Sequence, residues 1–222
     1  MSSNKPKSLH GNLRYDECLA TVVLETFFPE KYSSLVIDDK PDLIDIFNEV
    51  GIEVTSAVPE ATYEAIAIAC RIPSLDEKRQ RERIAYLQSK GFKYSPYGLT
   101  HPARSYFWWG PGYPAIEDTP CKILLDTVIR KINTLNRGEY MSLKRYNLYV
   151  YSDLCIDDWM FNALSEKLEA INKTPLHYSV IYLFAIREMV VFDIDHHEFQ
   201  RIATGEKLHG IGEKACALMK RR

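Results

Sequence analysis

Short strand-like runs of apolar residues alternate along this chain with longer segments in which apolar residues recur at helical spacing. In residues 121–135 they return every three or four positions, as on one face of a helix, whereas residues 51–57 alternate as a half-buried strand does. Strands separated by helices imply one central sheet covered by helices. The sequence therefore predicts an α/β fold with a mixed central β-sheet. The predicted helices are 15–28, 59–70, 76–90, 121–135 and 156–171, the predicted strands are 41–46, 51–57, 147–151, 180–185 and 189–193, and the tail to residue 222 is predicted as one short, frayed helix.

The length and charge of the chain limit what it can be. A chain of 222 residues with 46% apolar and 26% charged residues has the composition of a globular protein that can bury a core of its own. A net charge of −2 argues against a polycation that coats DNA, but not against a nuclease with an acidic site and one basic face. We expect residues 1–12 to form a disordered basic arm and residues 13–222 to form a single domain, with an irregular aromatic loop at 91–117.

The cysteines and the amino end bear on the cellular compartment. The five cysteines are odd in number, far apart and never in a CxxC pair, which is typical of reduced core thiols and not of a zinc site. The polar amino end has no apolar run of the kind found in signal peptides. No stretch approaches about 18 consecutive apolar residues, so no membrane span is expected. We therefore expect a cytoplasmic protein.

Asp42 and Glu53 lie on the two strands of a predicted hairpin. If the hairpin turns near residue 48, paired residue numbers sum to about 95 or 96, and the two acids lie opposite each other or one step apart, with Cβ atoms ~4.5–5.5 Å apart. Such carboxylates repel unless a cation lies between them or one is protonated. Either the pair holds a divalent ion, with the Val54 carbonyl as a further ligand, or Asp42 is a turn residue at the start of the strand and Glu53 is solvated.

Three short segments around these acids resemble the signature of the PD-(D/E)xK nuclease superfamily. They are YDECLA at 15–20, DKPD at 39–42 and GIEVT at 51–55. In that superfamily a helix glutamate precedes a strand pair that carries Pro-Asp and then an acid followed two residues later by lysine. The chain is also similar to a set of bacterial proteins with Pro-Asp followed by GIEVT. The similarity extends over about residues 15–195, although the specific residues lie in its first forty.

The resemblance implies a restriction-endonuclease-like fold and metal-dependent hydrolysis of a phosphodiester in DNA or RNA. It implies that Asp42, Glu53 and the Val54 carbonyl hold Mg²⁺ or Mn²⁺. It also implies that Glu17 orients a ligand water or assists a second ion. Simple helical geometry puts Asp16 nearer the apolar face than Glu17, so either residue remains a candidate for the helix acid.

Thr55 stands where the superfamily has its lysine. That lysine is understood to orient or activate the attacking water and to offset charge on the phosphate, and a hydroxyl supplies no positive charge. Either another cation reaches the site, with Lys40 the nearest in sequence, or the chain is a catalytically inactive member that binds protein or nucleic acid. Glu64 lies where relatives place a further polar site residue.

Three other clusters are candidates for binding. A basic helix could lie along phosphates, or it could be a solvated surface. An aromatic cluster at 106–109 could stack on bases, pack on the core, or form the subunit contact of a homodimer. The acids and histidines between Asp193 and Glu198 match no zinc motif, and adjacent histidines on a strand point to opposite faces. The residues expected to contact nucleic acid are Lys78, Arg79, Arg81, Arg83, Trp108 and Trp109.

Overall fold

The computed structural model contains a seven-stranded mixed β-sheet, which forms the centre of the larger of two compact units. The structure describes residues 14–58, 62, 64–65, 68–69, 72–95, 98–100, 120–138, 140–152, 156–185 and 188–220. The chain divides into two compact units, residues 1–57 with 124–222, and residues 58–123. Within the described residues no helix is long and apolar enough to cross a membrane. The predicted arm 1–12, Trp108 and Trp109 lie outside the described residues.

The strands at the middle of the sheet are long and mostly buried, whereas the edge strand Val36–Ile37 has two residues. Numbered along the chain, with β4 and β5 in the second unit, their order across the sheet is β1 (Val36–Ile37), β2 (Leu43–Asp45), β3 (Val50–Ser56), β6 (Arg145–Tyr151), β7 (Tyr178–Phe184), β8 (Glu188–Asp193) and β9 (Glu198–Ala203). β6 runs parallel to both β3 and β7, whereas the other neighbours are antiparallel. The prediction of a mixed central sheet is confirmed.

Helices cover both faces of this sheet. In chain order they are α1 (Tyr15–Phe27), α3 (Pro120–Leu135), α4 (Asp158–Ile171) and α5 (Ile211–Lys220), with α2 in the second unit. α1 and α5 share a buried apolar cluster with Ile52 and Val54 of β3. On the opposite face, the ring of Phe161 from α4 lies 6.0 Å from the ring of Phe192 in β8. The N-terminus of α4 is capped by Asp157, whose side chain accepts the N–H of Met160 at 2.8 Å.

The second unit contains a short 3₁₀ turn, a polar helix and a small hairpin. They are the turn Ile72–Ser74, the helix α2 (Glu77–Ser89), and the strands β4 (Lys93–Ser95) and β5 (Gly98–Thr100). Apolar side chains at Ala65, Ile72, Leu87 and Phe92 form its described core. The expectation that 91–117 is irregular is therefore wrong at its beginning, where β4 and β5 pair. Residues 101–119 of that segment lie outside the described residues.

The carboxyl end differs from the predicted single helix. β9 (Glu198–Ala203) and a 3₁₀ turn (Gly205–Leu208) precede α5. The strand was missed because its apolar residues Phe199 and Ile202 are spaced by three, as in a helix. Pairing with β8 overrides that local pattern.

The described cysteines match the expected free thiols with one exception. Cys18 and Cys121 are buried free thiols, whereas Cys216 is an exposed one and so is not a core residue.

Candidate functional site

The β2–β3 hairpin brings Asp42 and Glu53 together. Leu43 pairs with Ile52, and continuing this register by one residue places Asp42 opposite Glu53, as the sequence predicted. Ile52 and Val54 pack toward α1, so alternation points Glu53 to the opposite face. Asp42 Oδ2 accepts the N–H of Val54 at 2.7 Å, which ties the acid to the neighbouring strand.

Gly51 allows the ring of Pro41 to lie close to β3. A Cβ atom on Gly51 would lie 2.5 Å from Pro41 Cγ and 2.8 Å from Leu143 Cδ1, both shorter than any ordinary contact. The missing side chain therefore leaves space for the Pro41 ring beside β3. Because Asp42 follows Pro41 directly, the position of that ring also determines where the Asp42 carboxylate lies.

Burial and mutual repulsion change the acidity of this pair. Asp42 is 8% exposed and Glu53 is 7% exposed. Burial, and next the negative charge of Glu53, raise the pKa of Asp42 to about 7, although the N–H of Val54 and the ammonium of Lys131 oppose the rise. The folded protein therefore binds a proton at Asp42 more tightly than an exposed carboxylate does.

Lys131 of α3 is a charged neighbour of the acid pair that the sequence did not predict. Its Nζ lies 2.5 Å from Glu53 Oε1, and its side chain is 20% exposed. The hydroxyl of Tyr178 donates to its backbone carbonyl at 3.2 Å, which links this turn of the helix to β7. One signal was available: Lys131 lies three residues after Val128 and four before Leu135, on the buried stripe of a strongly amphipathic helix. A lysine on such a stripe needs an acidic partner.

Glu17, and not Asp16, is the buried acid of the first helix. Glu17 is 8% exposed, whereas Asp16 is half-buried. The Glu17 carboxylate accepts the backbone N–H of Arg14 at 3.3 Å. Burial raises the pKa of Glu17, and its charge in turn contributes to the raised pKa of Asp42. The expected geometry was wrong because α1 is buried around much of its circumference and not along one stripe.

Thr55, at the position of the family lysine, and Lys40, the nearest candidate for a replacement cation, lie in different surroundings. Thr55 is half-buried and lies on the same face of β3 as Glu53. Lys40 is exposed, and its carbonyl accepts the N–H of Met141 at 3.4 Å. The cation that the structure places on Glu53 is Lys131.

The basic helix α2 presents its charges to solvent. Arg79 lies 3.4 Å from Asp76, and Arg81 lies 3.0 Å from Glu77 in the preceding turn. Both arginine side chains are largely exposed. Partial neutralisation within the helix reduces its positive field. Lys78 and Arg83 of the same helix are exposed as well.

Glu64 is also in the second unit, where its Oε1 accepts the hydroxyl of Tyr86 at 3.0 Å. It is exposed.

The histidines near Asp193 belong to a turn and not to a strand, which corrects the earlier expectation about their directions. Three histidine–carboxylate pairs, each at 2.9 Å, surround the β8–β9 turn and join it to α4 and to the segment before β7. Their arrangement fits a structural role at the surface. The pairs are His177–Asp195, His196–Asp193 and His197–Glu169.

The donor set at the acid pair suits a hard divalent cation. Asp42 and Glu53 supply carboxylate oxygens, which Mg²⁺ and Mn²⁺ prefer, and such ions complete their shell with water and phosphate. The repulsion that raises the pKa of Asp42 is also what a cation between the carboxylates would relieve. Across the described ranges, no three His, Cys, Asp or Glu side chains gather as a complete protein metal site. Any ion here would rely on two carboxylates and non-protein ligands.

No protein-family model, no curated protein and no solved structure matches the chain.

Proposed function

We propose that the chain is a metal-dependent phosphodiesterase that acts on DNA or RNA, on a restriction-endonuclease-like fold. The observation that carries this proposal is the buried pair Asp42 and Glu53 with the ammonium of Lys131 beside it. Two acids and one lysine on a strand pair are the groups that the resemblance to PD-(D/E)xK nucleases implies. The lysine comes from α3 and not from the position of Thr55.

The metal would be held by Asp42, Glu53 and the Val54 carbonyl. When bound, Mg²⁺ or Mn²⁺ polarises a phosphoryl oxygen and lowers the pKa of a coordinated water. These two roles need coordination positions that water and phosphate can occupy, and a set of two carboxylates and one carbonyl leaves such positions on the ion free.

The protein groups supply charge and orientation. The Lys131 ammonium has three donors, of which one is used by Glu53. A second donor can hold the attacking water or a non-bridging phosphate oxygen and so offset the charge that develops there. Glu17, at the start of α1, acts on Asp42 through its charge, and we assign it the role of accepting a hydrogen bond from a water in the ion's shell. Thr55 can hydrogen-bond a water on the same strand face.

Cleavage assays with matched lysine variants test this assignment. Wild-type protein with Mg²⁺ or Mn²⁺ is expected to cut at least one of single-stranded DNA, duplex DNA or RNA. Asp42→Asn, Glu53→Gln and Lys131→Met are each expected to abolish cutting, whereas Lys90→Met, on a lysine of the second unit, is expected to retain it. Lys40→Met separates the two candidate cations. Loss of activity in Lys40→Met with retention in Lys131→Met would overturn the role of Lys131.

One observation favours a second function, a catalytically inactive binding module on the same fold. With Asp42 protonated and Glu53 paired to Lys131, the site carries no net charge and needs no metal ion to balance it. In that case calorimetry with Mn²⁺ shows no binding heat and no nucleic acid is cut. Trp108→Ala then disrupts a complex with a partner or a second copy of the chain.

A further inference from the structure

The turn between β2 and β3 presents an aromatic ring to solvent. Phe47 is 85% exposed and its neighbour Ile46 is 63% exposed, the two largest exposed fractions among the large apolar residues that the structure describes. Single exposed apolar residues are ordinary on protein surfaces. This turn differs from such ordinary sites in its hydrogen-bonded backbone, in the basic residues that contact it and in its position on the same hairpin as the acid pair.

The backbone that carries Phe47 is fixed before any partner binds. The buried carboxylate of Asp45 accepts the N–H of Phe47 at 3.1 Å and the N–H of Asn48 at 3.2 Å. Its second oxygen accepts the side-chain amide of Asn48 at 2.6 Å. Glu49 closes the turn with φ +54°, and its carbonyl accepts the N–H of Lys144 at 3.0 Å. A ring on an ordered turn loses little conformational entropy when it binds.

The size and charge of the exposed surface suggest its occupant. A stable protein interface needs roughly 800 Å² on each partner, whereas this apolar surface consists of two adjacent side chains, which are too few for such an interface. Two exposed basic residues contact the turn through Glu49. Arg145 donates its backbone N–H to the Glu49 carbonyl, and Lys144 forms an ion pair with the Glu49 carboxylate, so the net positive charge at this contact comes from Arg145. An aromatic platform beside cations is the arrangement that binds single-stranded nucleic acid.

The same hairpin carries the acid pair. Glu53 lies three residues along β3 from Val50, where the turn ends. At about 3.3 Å per residue, the turn and the acids are roughly 10–15 Å apart. That distance corresponds to about three or four stacked nucleotides of one strand. A strand whose phosphate lies at the acids could therefore place a nearby base on the ring.

We propose that Phe47 is a stacking platform for an unpaired base of a single-stranded nucleic acid bound across the β2–β3 hairpin. The inference rests on the proposed function and specifies that the substrate is single-stranded. A duplex keeps its bases stacked on each other, so the platform favours single strands, or duplex ends that fray.

Binding of a single-stranded oligonucleotide that contains the fluorescent base 2-aminopurine tests the platform. The measurement uses the Asp42→Asn background, so that cleavage does not interfere. Phe47→Ala is expected to weaken binding roughly 5- to 150-fold, as for the loss of one base–aromatic stack, and to abolish the fluorescence change that stacking causes. Phe47→Trp should stay within about threefold, because it keeps a stacking face. Met219→Ala, an exposed apolar residue on α5, is the matched control and should bind normally.

The outcomes separate this inference from the proposed function. If the wild type cuts nucleic acid while Phe47→Ala binds single strands as tightly as its control, the stacking role of Phe47 is wrong and the proposed nuclease function is retained. If the wild type neither binds nor cuts any nucleic acid, both are wrong. If Phe47→Ala instead turns a dimer into a monomer in sedimentation, the ring belongs to a protein interface and the platform is again wrong. Because the ring is so exposed, the variant should keep its fold.

Discussion

Replacing Asp42 by Asn should stabilise the protein, and the gain should grow with pH. Asn keeps the size of the side chain, and its amide oxygen can still accept the N–H of Val54. What changes is the charge, since the raised pKa of about 7 means that ionising Asp42 in the folded chain is unfavourable. The folded state binds this proton more tightly than the unfolded chain, so the contribution of Asp42 to stability falls as pH rises from about 4 to about 7.

The magnitude follows from the two pKa values. The folded-state pKa of about 7, compared with the ordinary 3.8, is a difference of about three units, and each unit corresponds to about 1.4 kcal/mol. Ionised Asp42 therefore costs the folded state roughly 4 kcal/mol at pH 8. At pH 5 only the unfolded chain has released the proton, and the cost falls to roughly 1–2 kcal/mol. Side-chain relaxation lowers both figures, so we expect Asp42→Asn to gain about 2–4 kcal/mol at pH 8 and about 1 kcal/mol at pH 5.

Urea unfolding at the two pH values measures this difference. The free energies of unfolding of wild type and Asp42→Asn are compared without divalent ions, with Asp126→Asn as the control for an exposed acid on α3. The control should change stability by less than about 0.5 kcal/mol at either pH. A gain that is the same at pH 5 and pH 8, or a loss at pH 8, would refute the argument that burial and Glu53 make the ionised Asp42 unfavourable.

Three further changes have defined outcomes. Mn²⁺ should raise the thermal midpoint of the wild type but not of Asp42→Asn, because the ion needs both carboxylates; equal shifts would show adventitious binding. Lys131→Met should cost about 3 kcal/mol or more in chemical denaturation, since it leaves Glu53 buried without its counter-charge; a neutral effect would mean that Glu53 is solvated. Gly51→Ala should cost about 1–3 kcal/mol because its Cβ meets Pro41, whereas Gly212→Ala, with ordinary space in α5, should be neutral or stabilising; similar losses in both would contradict the packing argument.

The part of the site that the sequence predicted is the part fixed by local geometry. Asp42 and Glu53 flank one turn, so counting residues on two antiparallel strands was enough to place them opposite each other. Lys131 could not be placed in this way, because it depends on how a helix far along the chain packs on the sheet. The burial of Glu17 was missed for the same reason: α1 is enclosed by α5 as well as by the sheet, and its own periodicity does not contain that neighbour.

Two contacts of the site, the Asp42–Val54 hydrogen bond and the Lys131–Glu53 ion pair, join residues that are separated by very different lengths of chain. Asp42 and Val54 are 12 residues apart, but Lys131 and Glu53 are 78 residues apart. Contacts between near neighbours in sequence generally form earlier in folding than distant ones. The hairpin is therefore expected to bring its two acids together before the lysine arrives, and the partly folded chain must tolerate their repulsion. Removing one of the two charges removes that repulsion, so Asp42→Asn should refold faster than the wild type at neutral pH.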